Sequence, residues 1–139
     1  MIGVVVVTHG QLATELVNAA ETIVGDLPNF LAVSIGWHED VQDARDAIAA
    51  AIDKVRQPGG VLLATDMFGG TPSNLAITFL EANTVEIVTG VNLPMLIKAA
   101  SMTDQASLLE IARALREHGR NAIWVASDLL SSGASESKA

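Results

Sequence analysis

Residues Ile2 to Val7 form an apolar run rich in valine that stops abruptly at Thr8-His9-Gly10. A strand with one wet face alternates apolar and polar residues. A run without alternation fits a strand covered on both faces, as in a parallel sheet flanked by helices. Phe30 to Ile35, Val61 to Thr65 and Val85 to Thr89 read as three more strands, closed by Gly36-Trp37-His38, Asp66 and Gly90. Helical spacing fills the gaps between them. Leu12, Leu16, Ala19, Ala20 and Ile23 recur on one stripe before Gly25, and Val41, Ala44, Ile48, Ile52 and Val55 on another before Pro58-Gly59-Gly60. Thr71 is placed to N-cap a helix with Pro72 in its first turn, and Asn92-Leu93-Pro94 opens another. Leu108, Ile111, Ala112 and Leu115 face inward on a helix that Gly119 is expected to stop, and Asn121 to Ala126 reads as a last strand.

Strands alternating with helices imply an α/β fold, a doubly wound and mostly parallel sheet with helices on both faces. The chain has 139 residues, enough for one core, and no internal linker divides it. One domain is expected over residues 1–128, with a polar, disordered tail over 129–139. Half the residues are hydrophobic and only 4% aromatic, with a mean hydropathy of +0.39, which excludes a disordered chain. A formal charge of -8 repels a phosphate backbone, so no nucleic-acid partner is expected. No cysteine is present for a disulfide, a thiol nucleophile or a thiolate metal site. The first residues lack a basic leader, and the apolar run is far shorter than the ~18 residues of a membrane helix. A cytoplasmic protein without membrane insertion is the expectation.

In such sheets ligands bind beyond the carboxyl ends of the strands, where the strand order reverses. The unusual residues of this chain collect there. His9 ends the first strand beside a helix start, where free N–H groups favour an anion. The spacing alone fits a packing or capping histidine equally well. If strands 1 and 3 are neighbours, Asp66 lies beside His9, and a carboxylate on one ring nitrogen leaves the other nitrogen's lone pair exposed as a nucleophile. Asp66 read by itself also fits a carboxylate capping the following turn. Gly69-Gly70-Thr71-Pro72-Ser73 forms a nest-like entry to a helix, matching neither a Walker A loop nor the dinucleotide fingerprint. Its glycines and the hydroxyls of Thr71 and Ser73, with Gly10 across from them, are candidate phosphate contacts, although an ordinary capped turn has the same letters.

No Lys or Arg precedes Arg45, and none lies between Arg56 and Lys98. A nucleoside triphosphate would therefore find neither a cation nor a Mg²⁺ carboxylate cluster. A single phosphoryl group on histidine is compatible with that map, with an arginine supplied by a partner. No metal and no cofactor are expected. Trp37 is either a partner-facing aromatic or a plug over the core; His38 reads as a solvated loop residue and His118 as a partner of a helix C-terminal dipole. Met95 and Met102 read as core filler, and Trp124 as core or interface.

Three motifs stand in order: Thr8-His9-Gly10, Asp66-Met67-Phe68-Gly69-Gly70-Thr71-Pro72 and Gly90-Val91-Asn92-Leu93-Pro94-Met95. Together they resemble the IIA component of the mannose family of the bacterial phosphoenolpyruvate-dependent sugar phosphotransferase system (PTS), over nearly the whole chain to about Asp128. The resemblance implies a sheet in the order 2-1-3-4 with an antiparallel C-terminal edge strand exchanged in a homodimer. It implies a phosphotransferase in which His9 accepts a phosphoryl group from the phosphocarrier protein HPr and passes it to a IIB component. That component in turn phosphorylates sugar entering through membrane IIC and IID subunits. It also implies that Asp66 hydrogen-bonds His9 and that Thr71 lies by the phosphoryl group. Trp37, Phe68, Asn92 and Pro94 are then expected to face the partner.

The segment Gly36-Trp37-His38-Glu39-Asp40 departs from the loop of sugar-transporting members. No IIB domain follows Asp128, so IIB is expected on a separate chain. A regulatory IIA protein, acting by phosphorylation-dependent binding, is the alternative. The phosphotransferase subunit of dihydroxyacetone kinase is a third reading, which Phe68 to Pro72 fit less well.

Overall fold

The computed structural model describes residues 1–102 and 106–131. Strands β1 (Gly3–His9), β2 (Phe30–Ile35), β3 (Val61–Thr65) and β4 (Val85–Thr89) make one parallel sheet in the order β2-β1-β3-β4. The valine run explains why β1 is central. Val4 and Val6 point to one face and Val5 and Val7 to the other, and all four are wholly buried. Each such side chain is worth roughly 1.5–3 kcal/mol of burial, and only a strand clad on both sides collects it from every residue.

Helices α1 (Leu12–Val24), α4 (Leu93–Ser101) and α5 (Leu108–Asn121) cover the Val4/Val6 face; α2 (Val41–Val55) and α3 (Thr71–Ile77) cover the other. The stripe on α1 is rotated from expectation. Ala13, Val17 and Ala20 are its buried residues, whereas Leu12 and Ile23 face solvent, because small side chains allow the helix to sit close to the sheet. On α2, Asp40 accepts from the N–H groups of Gln42 and Asp43 and sets the first turn, and Val41 turns outward. The N-cap of α3 is Gly70 rather than Thr71, which sits one residue inside the helix.

Two expectations near the C-terminus are corrected. Gly119 does not stop α5, which runs on to Asn121. A Cβ at residue 119 would lie 3.0 Å from Met95 Cε, so this glycine serves the close approach of α4 to α5. Asn121 to Ala126 is not a strand of this sheet: Asn121 ends α5, residues 122–125 are irregular, and α6 (Ala126–Ser131) begins at Ala126. With α5 continued through Asn121, the segment pairs with no strand of the sheet, and a strand exists only where it joins a ladder. Residues 129–131, expected in a disordered tail, belong to α6, and residues 132–139 lie outside the described residues.

Candidate functional site: an imidazole braced at the switch point

The chain leaves β1 toward β2 on one side, and β3 joins β1 on the other, so the strand order reverses between β1 and β3. His9 ends β1 there, and Asp66 follows β3 directly. His9 Nδ1 and Asp66 Oδ2 lie 2.8 Å apart, and the same oxygen accepts the His9 backbone N–H at 3.0 Å. The other carboxylate oxygen accepts Met67 N–H at 3.0 Å. With Nδ1–H donating to the carboxylate, Nε2 keeps its lone pair. The His9 ring is 52% exposed against 15% for the Asp66 side chain, so the acid is sheltered and the nucleophile is accessible. Burial pushes the Asp66 carboxyl up. Hydrogen bonds from the His9 ring and backbone, with the attraction of the ring in its protonated form, outweigh burial and hold the carboxyl below its ordinary value of 3.8.

Behind the ring, the wholly buried Thr8 hydroxyl accepts Ala13 N–H at 2.7 Å and donates to His9 carbonyl oxygen at 3.2 Å. Thr8 thus fixes the turn from β1 into α1. Its functional weight is missed by reading it only as part of a motif; the signal was a hydroxyl ending an apolar run.

A cavity of about 310 Å³ opens at the ring, lined by His9, Gly10, Trp37, Glu39, Gly70 and Thr71 among others. No Lys or Arg is among its lining residues. Of the five candidate phosphate contacts, Gly70 and Thr71 line this cavity and Thr71 is exposed. Gly10 also lines it, but its N–H donates to the Ile35 carbonyl at 2.8 Å. Gly69 N–H donates to Ser73 Oγ at 2.8 Å, and Ser73 is fully buried. The Ser73 hydroxyl therefore faces the loop's own backbone and not the cavity, a correction to its expected place.

Among the partner-facing candidates, Trp37 is 96% exposed, which excludes a plug over the core, and Phe68 is also exposed. Pro94 is half-buried in the first turn of α4. Asn92 is half-buried: Oδ1 accepts Met95 N–H and Nδ2 donates to the Gly119 carbonyl, each at 3.0 Å, so both ends of its amide are engaged within the chain. His38 and His118 are exposed, Met95 is core, Met102 packs against the core, and Trp124 is largely exposed. Among the described residues no cluster of three or more His, Asp or Glu could hold a metal ion, and no helix is long and apolar enough to cross a membrane.

Fold and site together define a doubly wound α/β protein with an acid-braced imidazole at its switch point. The model of the EIIA-man family, described as the PTS system fructose IIA component, matches residues 3–116. Over 131 residues, 94% of this chain and 90% of the other, the chain is 29% identical to the PTS system fructose-specific EIIA component of Bacillus subtilis (strain 168). It is 30% identical over 109 residues to the PTS system sorbose-specific EIIA component of Lacticaseibacillus casei, covering 78% of each. The solved mannose/sorbose specific IIA subunit of the phosphotransferase system from Enterococcus faecalis superposes with a TM-score of 0.78 at 28% identity, covering 88% of this chain and 92% of that one. The chain belongs to the mannose-family IIA components of the sugar phosphotransferase system. It is accordingly a phosphoryl carrier and a phosphotransferase.

Proposed function

We propose that this protein carries its phosphoryl group on Nε2 of His9, in the cytoplasm, receiving it from phosphorylated HPr and delivering it to a IIB component. The observation that carries this reading is the 2.8 Å contact of Nδ1 with Asp66, which leaves Nε2 as the free nucleophile on an exposed ring. The Nε2 lone pair forms the new N–P bond while the donor's bond to phosphorus breaks, its electron pair leaving with the donor. In the reverse sense the same step loads the acceptor. Asp66 holds the ring and balances the positive charge that grows on it as the bond forms.

Gly70 and Thr71 border the space the phosphoryl group would occupy. Since the cavity lining has no cation, the charge on that group is met by an arginine or lysine of the docking partner. Trp37, exposed at the rim of the His9 cavity, with the exposed Phe68 of the loop after β3 and Pro94 in the first turn of α4, forms the docking face. A homodimer accompanies this reading. Beside the open edge of β4 lies a groove of about 470 Å³ lined by Ile77, Leu80, Ile87 and Leu109, and the same chain exposes Ile123, Trp124 and Val125. A second copy supplying that apolar segment would cover both surfaces.

The test is labelling with radioactive phosphoenolpyruvate in the presence of enzyme I and HPr. Wild type is expected to take up an acid-labile label and His9→Ala none. An alanine variant labelled like the wild type would falsify the assignment.

A further inference from the structure

We propose that Ser73 is a positioning residue for phosphoryl transfer, acting through the Gly69–Gly70 turn that walls the His9 ring. This rests on the reading of His9 as the carrier. Ser73 is fully buried; its Oγ accepts Gly69 N–H at 2.8 Å and donates to the Gly70 carbonyl at 3.4 Å. Both glycines hold positive φ, +96° and +88°. Without Cβ atoms, such residues have many accessible conformations, so the shape of this turn depends on its hydrogen bonds.

Gly70 also faces the reactive edge of the ring across a gap too narrow for a side chain. A Cβ there would lie 3.0 Å from His9 Cε1 and 3.1 Å from Nε2. Asp66 fixes the Nδ1 side of the imidazole, and the turn bounds the Nε2 side. The clearance at Nε2, where the N–P bond forms, is therefore set by a wall whose Gly70 carbonyl is held by Asn74 N–H at 3.0 Å and whose Gly69 N–H is held by the buried Ser73 hydroxyl. Removing that hydroxyl leaves Gly69 N–H without its acceptor and releases the turn, while the Asp66 contact and the exposed Trp37, on a different loop, are untouched. The expected signature is a change in kcat without a change in partner affinity.

The experiment measures kcat and KM for transfer from phosphorylated HPr, thermal unfolding, and ¹⁵N spectra of the His9 ring in full-length protein. Ser73→Ala is expected to lower kcat roughly 10- to 100-fold, to leave KM within about twofold, and to shift the Nε2 resonance. Ser73→Thr, which keeps the hydroxyl, recovers most of kcat even where its extra methyl lowers Tm. Ile48→Val, a core change on α2 that leaves the turn intact, keeps kcat. Wild-type kcat in folded Ser73→Ala overturns the proposal, and so does a loss that Ile48→Val shares or that Ser73→Thr fails to recover. If Ser73→Ala does not fold, Ser73→Cys, with only a weak sulfur acceptor for Gly69 N–H, is read by the same criteria. Labelling of His9→Ala at wild-type level would instead remove the parent reading, whatever Ser73 does.

Discussion

A single oxygen of Asp66 holds His9 at two points, the ring Nδ1 at 2.8 Å and the backbone N–H at 3.0 Å. Ring and strand end are therefore fixed to one another as well as to β3. Asp66→Asn keeps the volume and removes the charge, and an amide nitrogen in place of that oxygen cannot accept either bond. Phosphoryl transfer from HPr is expected to fall by roughly 10²- to 10⁴-fold, the range for a positioned acid–base partner, with the circular dichroism spectrum unchanged. Rapid-quench transfer at the wild-type rate would show that the carboxylate has no part in the reaction.

The same contact makes stability depend on pH in one direction. Folding holds the Asp66 carboxyl below 3.8, so as pH falls the unfolded chain takes up its proton first. The stabilisation is present above the unfolded value and is lost as pH drops through the folded one. Urea unfolding of wild type and Asp66→Asn, compared from about pH 5 down to about pH 3, is expected to show the wild-type advantage shrinking. An advantage that widens toward acid contradicts the observed bonding.

Much of this arrangement was legible in the residues. The unbroken valine run required a strand covered on both faces, and the strand ends put His9 and Asp66 on one edge. Local patterns failed where a long-range contact decides. Gly119 reads as a helix stop, but its missing Cβ serves the packing of Met95 and Asn92 from another helix. Asn121 to Ala126 has the composition of a strand, yet a strand exists only where it joins a ladder, and this segment joins none among the described residues: its ends belong to α5 and α6. Ser73 carries a hydroxyl beside two glycines, and nothing in that spelling says whether the oxygen points to a ligand or back to its own loop.

Trp37 is 96% exposed at the rim of the His9 cavity, an apolar surface held in water until something covers it. Trp37→Ala is expected to raise KM for phosphorylated HPr by roughly 5- to 30-fold, the equivalent of ~1–2 kcal/mol at an interface anchor, while kcat at saturation stays near wild type. An unchanged KM would remove Trp37 from the docking face.

Sedimentation equilibrium is expected to return twice the 14.5 kDa of one chain at micromolar concentration. Replacing Ile123 and Val125 together by aspartate places charge in the exposed apolar segment and should yield single chains. A wild type that sediments as one chain throughout rules out the homodimer.

Asn92 offers a final contrast between a residue that faces a partner and one that holds the fold. Its Oδ1 caps α4 by accepting Met95 N–H, and its Nδ2 reaches the Gly119 carbonyl of α5. In Asn92→Ala the cap is lost, at a cost of about 0.5–2 kcal/mol, and the half-buried clamp between the two helices goes with it. The sum expected by urea denaturation is roughly 1–3 kcal/mol. Neither bond touches His9, Asp66 or the cavity beside them, so KM and kcat for transfer from HPr should match the wild type under conditions where the variant is folded. A stable variant with a raised KM would reverse the assignment, since the amide would then be meeting a partner rather than joining α4 to α5.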